Sequence, residues 1–179
     1  MQNRIPMEYF LTSGSGESNL SSASNETTSF DAALVDAGIP DVNIMIYSSI
    51  IPPKAKEIPQ GTNNWGEVME CILSRKDGKR GQTISVGIMI VDIINPMGVH
   101  IGGLAIEYSG KDSYTKSKSK VHLMVKEMIH RRNFGVLNGE VTDTGYRVTE
   151  KNYLYKSLKI KKKHGTVLVG ICFKKALVF

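Results

Sequence analysis

Apolar and polar positions alternate along most of this chain, and in two stretches the apolar positions recur every three or four residues instead. The alternating stretches predict strands at 42–47, 67–74, 82–94 (QTISVGIMIVDII), 99–108 (VHIGGLAIEY), 146–149, 153–160 and 166–173. Phe30, Ala33, Leu34 and Ala37 fall on one face of a first helix. Ser29 is its expected cap, Asp31 lies in its expected first turn, and Gly38 ends it. A second helix is expected over 115–132, with Val121, Met124, Val125, Met128 and Ile129 inward. Lys118, Lys120, Lys126, Arg131 and Arg132 take its wet side, and Gly135 closes it. Residues 13–29 (SGSGESNLSSASNETTS) and 59–66 (PQGTNNWG) read as loops, and Asn95–Pro96–Met97–Gly98 as a hairpin connection. No internal repeat is visible. The order helix, strand run, helix, strand run predicts an α+β fold of layered antiparallel sheets.

The 179 residues suit one domain with a sizeable core, and 41% hydrophobic with 22% charged residues is an ordinary soluble composition. No apolar run approaches the roughly 18 residues of a membrane helix. The opening MQNRIPMEYF lacks the basic-then-apolar pattern of a secretory signal. Cys71 and Cys172 lie far apart, with neither a disulfide framework nor a metal spacing. Two reduced thiols in a cytoplasmic protein are expected. The net charge of +6 is uneven: residues 1–48 hold one base and six acids, while residues 49–179 hold 22 bases and 11 acids. If the chain were cut between them, its pieces would attract each other, subject to screening by salt.

The familiar catalytic signals are missing. There is no GK[ST] phosphate loop, no HExxH and no paired cysteine cluster. His100, His122, His130 and His164 show no ligand spacing and read as surface or strand-face residues. The run Lys156–His164 invites a nucleic-acid-binding reading. Its lysines alternate with Leu158 and Ile160, as on a half-exposed strand, and no RNA-binding signature accompanies them. What remains is Asn43-Ile44-Met45-Ile46-Tyr47-Ser48-Ser49-Ile50-Ile51-Pro52-Pro53. A strand ends here in a serine pair, because Pro52 and Pro53 cannot continue a central strand. At the end of a buried strand the pair reads as two polar residues leaving it, and ahead of a rigid turn it could also be held in a strained peptide. There a hydroxyl can attack the carbonyl before it.

In three blocks the chain resembles the pyruvoyl-dependent arginine decarboxylase family. They are Phe30-Asp31-Ala32-Ala33-Leu34 through Ala37-Gly38-Ile39, then Val42-Asn43 through Ser48-Ser49-Ile50-Ile51-Pro52-Pro53, then Gly103-Leu104-Ala105-Ile106-Glu107-Tyr108. The resemblance implies an α/β/β/α sandwich of antiparallel sheets and a homotrimer, or a multiple of it, with sites at subunit interfaces. It implies self-cleavage between Ser48 and Ser49 into chains 1–48 and 49–179, with Ser49 becoming a covalent pyruvoyl cofactor. That group forms a Schiff base with an amino acid, arginine in this family, and decarboxylation gives agmatine.

By the same resemblance Asp31 binds the substrate guanidinium, two carboxylate oxygens matching a planar cation. Asn43 contacts substrate near the pyruvoyl group. Glu107 returns a proton to the substrate carbon. Along its strand Glu107 lies with Ala105, opposite Leu104, Ile106 and Tyr108, and an acid on such an apolar strand is expected to hold its proton more tightly. Lys54 and Lys56 depart from the family pattern. They would disfavour a cationic substrate only if they faced its pocket.

Overall fold

The alternating stretches close into two stacked sheets. The computed structural model describes residues 4–20, 25–138 and 144–178. In chain order the elements are β1 (Arg4–Ser18), α1 (Asn25–Asp36), β2 (Asn43–Ile46), β3 (Ile50–Ile51), β4 (Lys56–Glu57) and β5 (Val68–Lys79). They continue with β6 (Thr83–Ile94), β7 (His100–Gly110), α2 (Tyr114–Arg131), β8 (Arg147–Lys159) and β9 (His164–Val178). The first sheet runs β2-β5-β9-β1-β4 and the second β3-β7-β6-β8. Pairing is antiparallel except at the two edges of the first sheet, where β2 joins β5 and β4 joins β1 in parallel.

Three apolar layers hold the stack. Tyr9, Ile72, Ile88, Ile90, Val169 and Ile171 meet between the sheets. Phe10, Met69 and Leu168 face outward onto Ala33, Leu34 and Ala37 of α1. On the other side Met89, Val91, Leu104 and Ile106 meet Val121, Val125 and Ile129 of α2. The result is the α/β/β/α sandwich. Each fully buried aliphatic side chain contributes about 1.5–3 kcal/mol by leaving water. β6 is buried on both faces, which explains its nearly unbroken apolar run. Among the described residues no helix is long and apolar enough to cross a membrane.

Several local expectations are corrected. Residues 13–18 are the end of β1, not loop; residues 21–24 of that expected loop lie outside the described residues. The glycines there mark close approach. A Cβ on Gly14 would sit 2.0 Å from the Ala33 carbonyl oxygen, and one on Gly16 2.4 Å from the Ala33 nitrogen. The first helix starts at Asn25, so Ser29 is no cap. It is buried inside the helix, with its Oγ 2.8 Å from Thr166 Oγ1. Glu26, not Asp31, is the acid of the first turn. The expected stop holds: Gly38 has φ +72°, and Ile39 N–H donates back to Leu34 O at 2.9 Å. At the end of α2 the first left-handed residue is Asn133 (φ 55°), with the expected Gly135 (φ 88°) left-handed two residues later. The strands expected at 146–149 and 153–160 are one strand, β8. Cys71 and Cys172, far apart in sequence, face each other across β5 and β9 as buried free thiols with sulfurs 3.2 Å apart.

Candidate active site

β2 belongs to one sheet and β3 to the other, so Tyr47, Ser48 and Ser49 carry the chain across. Both ends of the crossing are tied. Tyr47 N–H donates to Cys71 O at 2.7 Å in the first sheet, and Ser49 O accepts from Ala105 N–H at 2.9 Å in the second. Between these anchors Ile50 N–H donates to Ser48 O at 2.8 Å, which closes a three-residue turn centred on Ser49. It is the inverse form, since Asn133 and Asn138 are the only non-glycine residues with positive φ among the described residues. The Tyr47 ring anchors the crossing from below, 5.9 Å from Phe173 in the inter-sheet core. Burial pushes the Tyr47 phenol above its ordinary pKa and the Glu70 carboxylate adds to this, so the anchor stays neutral.

The sequence pattern predicts a buried strand ahead of the serine pair. β2 is instead an edge strand, with Met45 51% and Ile46 60% exposed. The tightness comes from the crossing, not from burial of the strand.

Ser49 Oγ donates to Glu107 Oε2 at 2.8 Å. The strand phase that places Glu107 is visible in the packing. Leu104, Ile106 and Tyr108 of β7 sit under α2, while Ala105 joins the inter-sheet core. Glu107 therefore points with Ala105 toward the space between the sheets, beside Ile88 in the adjoining strand, and is half-buried. The carboxylate is placed to accept the hydroxyl proton. The Ile50 N–H is aimed at the oxygen that would gain charge if that hydroxyl attacked the Ser48 carbonyl.

Ser48 is exposed, and its side chain makes no hydrogen bond among the described residues; its part in the turn is its carbonyl. A cleft of about 420 Å³ opens beside it, lined by Arg4, Ile46, Tyr47, Ser48, Ile50 and Pro52. Asn43 shares the β2 face of Met45 and Tyr47, and its amide Nδ2 donates to Gly66 O at 2.9 Å. Asp31 is not brought to Ser49 within the chain. It lies exposed on α1, which packs on the outer side of the first sheet, and forms no hydrogen bond or ion pair among the described residues. Lys54 and Lys56 are exposed, and Lys56 sits on β4 at the edge of the first sheet opposite β2. The sequence reading missed His100 as a site neighbour: its Nδ1 lies 2.9 Å from Pro53 O. A lone histidine after a glycine hairpin carries no signal of that contact.

Residues 8–177 match the family model described as "Pyruvoyl-dependent arginine decarboxylase (PvlArgDC)". Among curated proteins the chain is similar to the pyruvoyl-dependent arginine decarboxylase of Methanococcus aeolicus, 30% identical over 74% of this chain and 76% of the relative. That of Methanocaldococcus jannaschii is 32% identical over 69% of this chain and 70% of the relative. That of Methanopyrus kandleri is 39% identical over a shorter stretch, 42% of this chain and 47% of the relative. With the fold, the crossing and these matches together, the chain belongs to the pyruvoyl-dependent arginine decarboxylase family.

Proposed function

We propose that this chain is the proenzyme of an arginine decarboxylase, a single domain that cuts itself into residues 1–48 and 49–179 and converts Ser49 into its pyruvoyl group. The observation that carries this reading is the Ser49 hydroxyl on Glu107, inside a turn whose Ser48 carbonyl already accepts from Ile50 N–H.

The chemistry runs on these atoms. Glu107 takes the Ser49 Oγ proton as Oγ bonds to the Ser48 carbonyl carbon. The Ser48–Ser49 C–N bond then breaks, and the proton goes to the released amine. Ile50 N–H holds the developing oxyanion. In the ester, loss of the Ser49 Cα proton breaks the Cβ–Oγ bond, and Oγ leaves as part of the Ser48 carboxylate. Residue 49 is left as a dehydroalanine. It tautomerises to an imine, takes up water and loses ammonia.

The residues present fit the group so made. Ser49 O and Ala105 N–H take no part in the bond changes, so their 2.9 Å hydrogen bond can hold the group's amide oxygen throughout. Once formed, the group supplies a ketone that condenses with an amine and draws electrons as a carboxylate departs. Glu107, on the same face, then holds a proton for the substrate carbon. Asp31 binds the guanidinium and Asn43 lines the substrate path.

Two features support an assembly of cleaved protomers with sites between copies, which the family resemblance gives as a homotrimer or a multiple of it. Asp31 and Glu107 lie in different layers of one chain. Met45, Ile46, Ile50 and Val68 leave an apolar surface around the crossing, each more than half exposed. The two free thiols fit a reducing, cytoplasmic setting.

Intact-mass measurement of denatured, freshly purified protein tests the reading. Two fragments are expected, ending at Ser48 and starting at residue 49, the second lighter by one ammonia than a serine-started chain. A single uncut chain after long incubation would overturn it.

A further inference from the structure

The segment that carries Ser49 is joined to the second sheet by very little backbone. β3 pairs with β7 at two positions only, Ile50 with Leu104 and Ile51 with Gly103. The main-chain ladder stops there because Pro52 and Pro53 have no N–H to donate. At that point a side chain takes over: His100 Nδ1 lies 2.9 Å from Pro53 O. A carbonyl only accepts, so Nδ1 is the protonated nitrogen of this contact.

The backbone around His100 is shaped for that contact. Register between β6 and β7 passes from Ile93–Gly102 to Ile94–His100, which leaves Ile101 as the extra residue of a bulge. A bulge re-aims the side chains beside it, here that of His100 just before the extra residue. Gly102 has φ +128°, and a Cβ there would meet Ile51 O at 2.8 Å and Pro53 N at 3.6 Å. β7 thus lies against the proline turn closely enough for His100 to reach it. Behind the ring, Asp92 Oδ1 of β6 stands 3.3 Å from Nε2. That nitrogen makes no aligned hydrogen bond, so Asp92 adds no second rung.

We propose that His100 is a positioning residue of the self-cleaving segment: its imidazole, donating to Pro53 O, ties the segment to β7 where the prolines end the main-chain ladder, and so holds residue 49 in register with Ala105 and Glu107. This rests on the reading of Ser49 as the cleavage residue. The role grows after the cut. The intact chain holds residue 49 from both sides, through Tyr47 N–H on Cys71 and through β7. Once the Ser48–Ser49 bond is gone the Tyr47 side of this hold is lost, and the Ala105 bond, the two β3 rungs, the buried Ile51 side chain and the His100 clamp are what tie the new end to the fold among the described residues.

The test compares His100→Ala, His100→Asn and His100→Gln in the full chain by two readouts. One is the rate at which the 49–179 fragment appears in intact-mass spectra. The other is hydrogen exchange at the amides of Ile50 and Ala105. The Asn amide nitrogen stands where Nδ1 stands and can still donate to Pro53 O; the Gln amide reaches the Nε2 position instead. Cleavage about fivefold slower, the effect of one ordinary hydrogen bond, and faster exchange at Ala105 are expected for Ala and Gln. Asn should restore both. Wild-type cleavage and exchange in the Ala and Gln variants would overturn the proposal, as would an Asn variant no better than Gln at equal melting temperature. If the Ala variant does not fold, the contrast between Asn and Gln decides alone. If the wild-type chain is never cut, the reading of Ser49 fails, while the exchange comparison still judges the clamp.

Discussion

The Ser49 hydroxyl donates to Glu107 across 2.8 Å, while the Ser49 carbonyl is held by Ala105 of the same strand. One strand of the second sheet therefore controls both polar groups of the residue at the crossing. The two contacts divide the work. The carbonyl bond fixes where residue 49 stands, and the carboxylate fixes where its hydroxyl points.

Ser49 and Ser48 should respond differently to truncation. Ser49→Ala removes the attacking oxygen and should give a permanently uncut chain by intact-mass spectrometry. Ser48→Ala removes a hydroxyl that bonds nothing among the described residues. It keeps the carbonyl, and cleavage should continue within a fewfold of the wild-type rate. A Ser48→Ala chain that stays whole would assign that hydroxyl a role the geometry does not give it.

Glu107→Gln keeps an acceptor near the Ser49 hydroxyl but carries no exchangeable acid. Cleavage should slow, and in whatever cut enzyme accumulates kcat for arginine should fall by about 10²–10⁴, the usual share of a general acid. Steady-state release of carbon dioxide, normalised to the pyruvoyl content, measures it. An unchanged kcat would remove Glu107 from the proton path.

Asp31 stands on the helix surface without a partner among the described residues and past the first turn, so the helix dipole gives it little purpose. Asp31→Asn should leave the cut intact and lower kcat/KM for arginine by about 10–150-fold, the range of one charged hydrogen bond. Most of the loss should lie in KM. Equal turnover by the variant would take Asp31 out of the substrate site.

Glu150 gives a stability test away from the site. Partial burial opposes its charge, but Lys118 at 2.7 Å and His122 at 2.8 Å outweigh this and hold its carboxyl below the ordinary range. A carboxyl whose folded-state pKa is depressed stabilises the fold above its unfolded pKa. That contribution is lost as pH falls through the folded-state value. Glu150→Gln should therefore melt roughly 2–4 °C lower than the wild type near pH 7, for a pair worth about 1 kcal/mol. The gap should close in scans well below pH 4. A gap that persists there would mean the loss is one of packing, not charge.

By itself the sequence determined the α+β class with layered antiparallel sheets, the serine pair at a strand end and the face on which Glu107 stands. Each follows from local periodicity, which reports which side of an element is apolar. It also marked the Gly38 stop and the Asn95–Gly98 hairpin, where the backbone needs a particular residue type. It misread β1, because the small residues that let α1 settle on Gly14 and Gly16 look like a flexible linker. It placed the first helix late, because a buried serine bonded to Thr166 resembles a cap until its partner is known. Only the tertiary structure decided that residues 47–49 cross between sheets, that Glu107 meets Ser49, that two distant cysteines face each other, and that a bulge turns His100 onto Pro53. Those facts depend on which elements pack together and in what register. That is set by the fit of whole surfaces far apart in the chain, to which the pattern within any one element is blind.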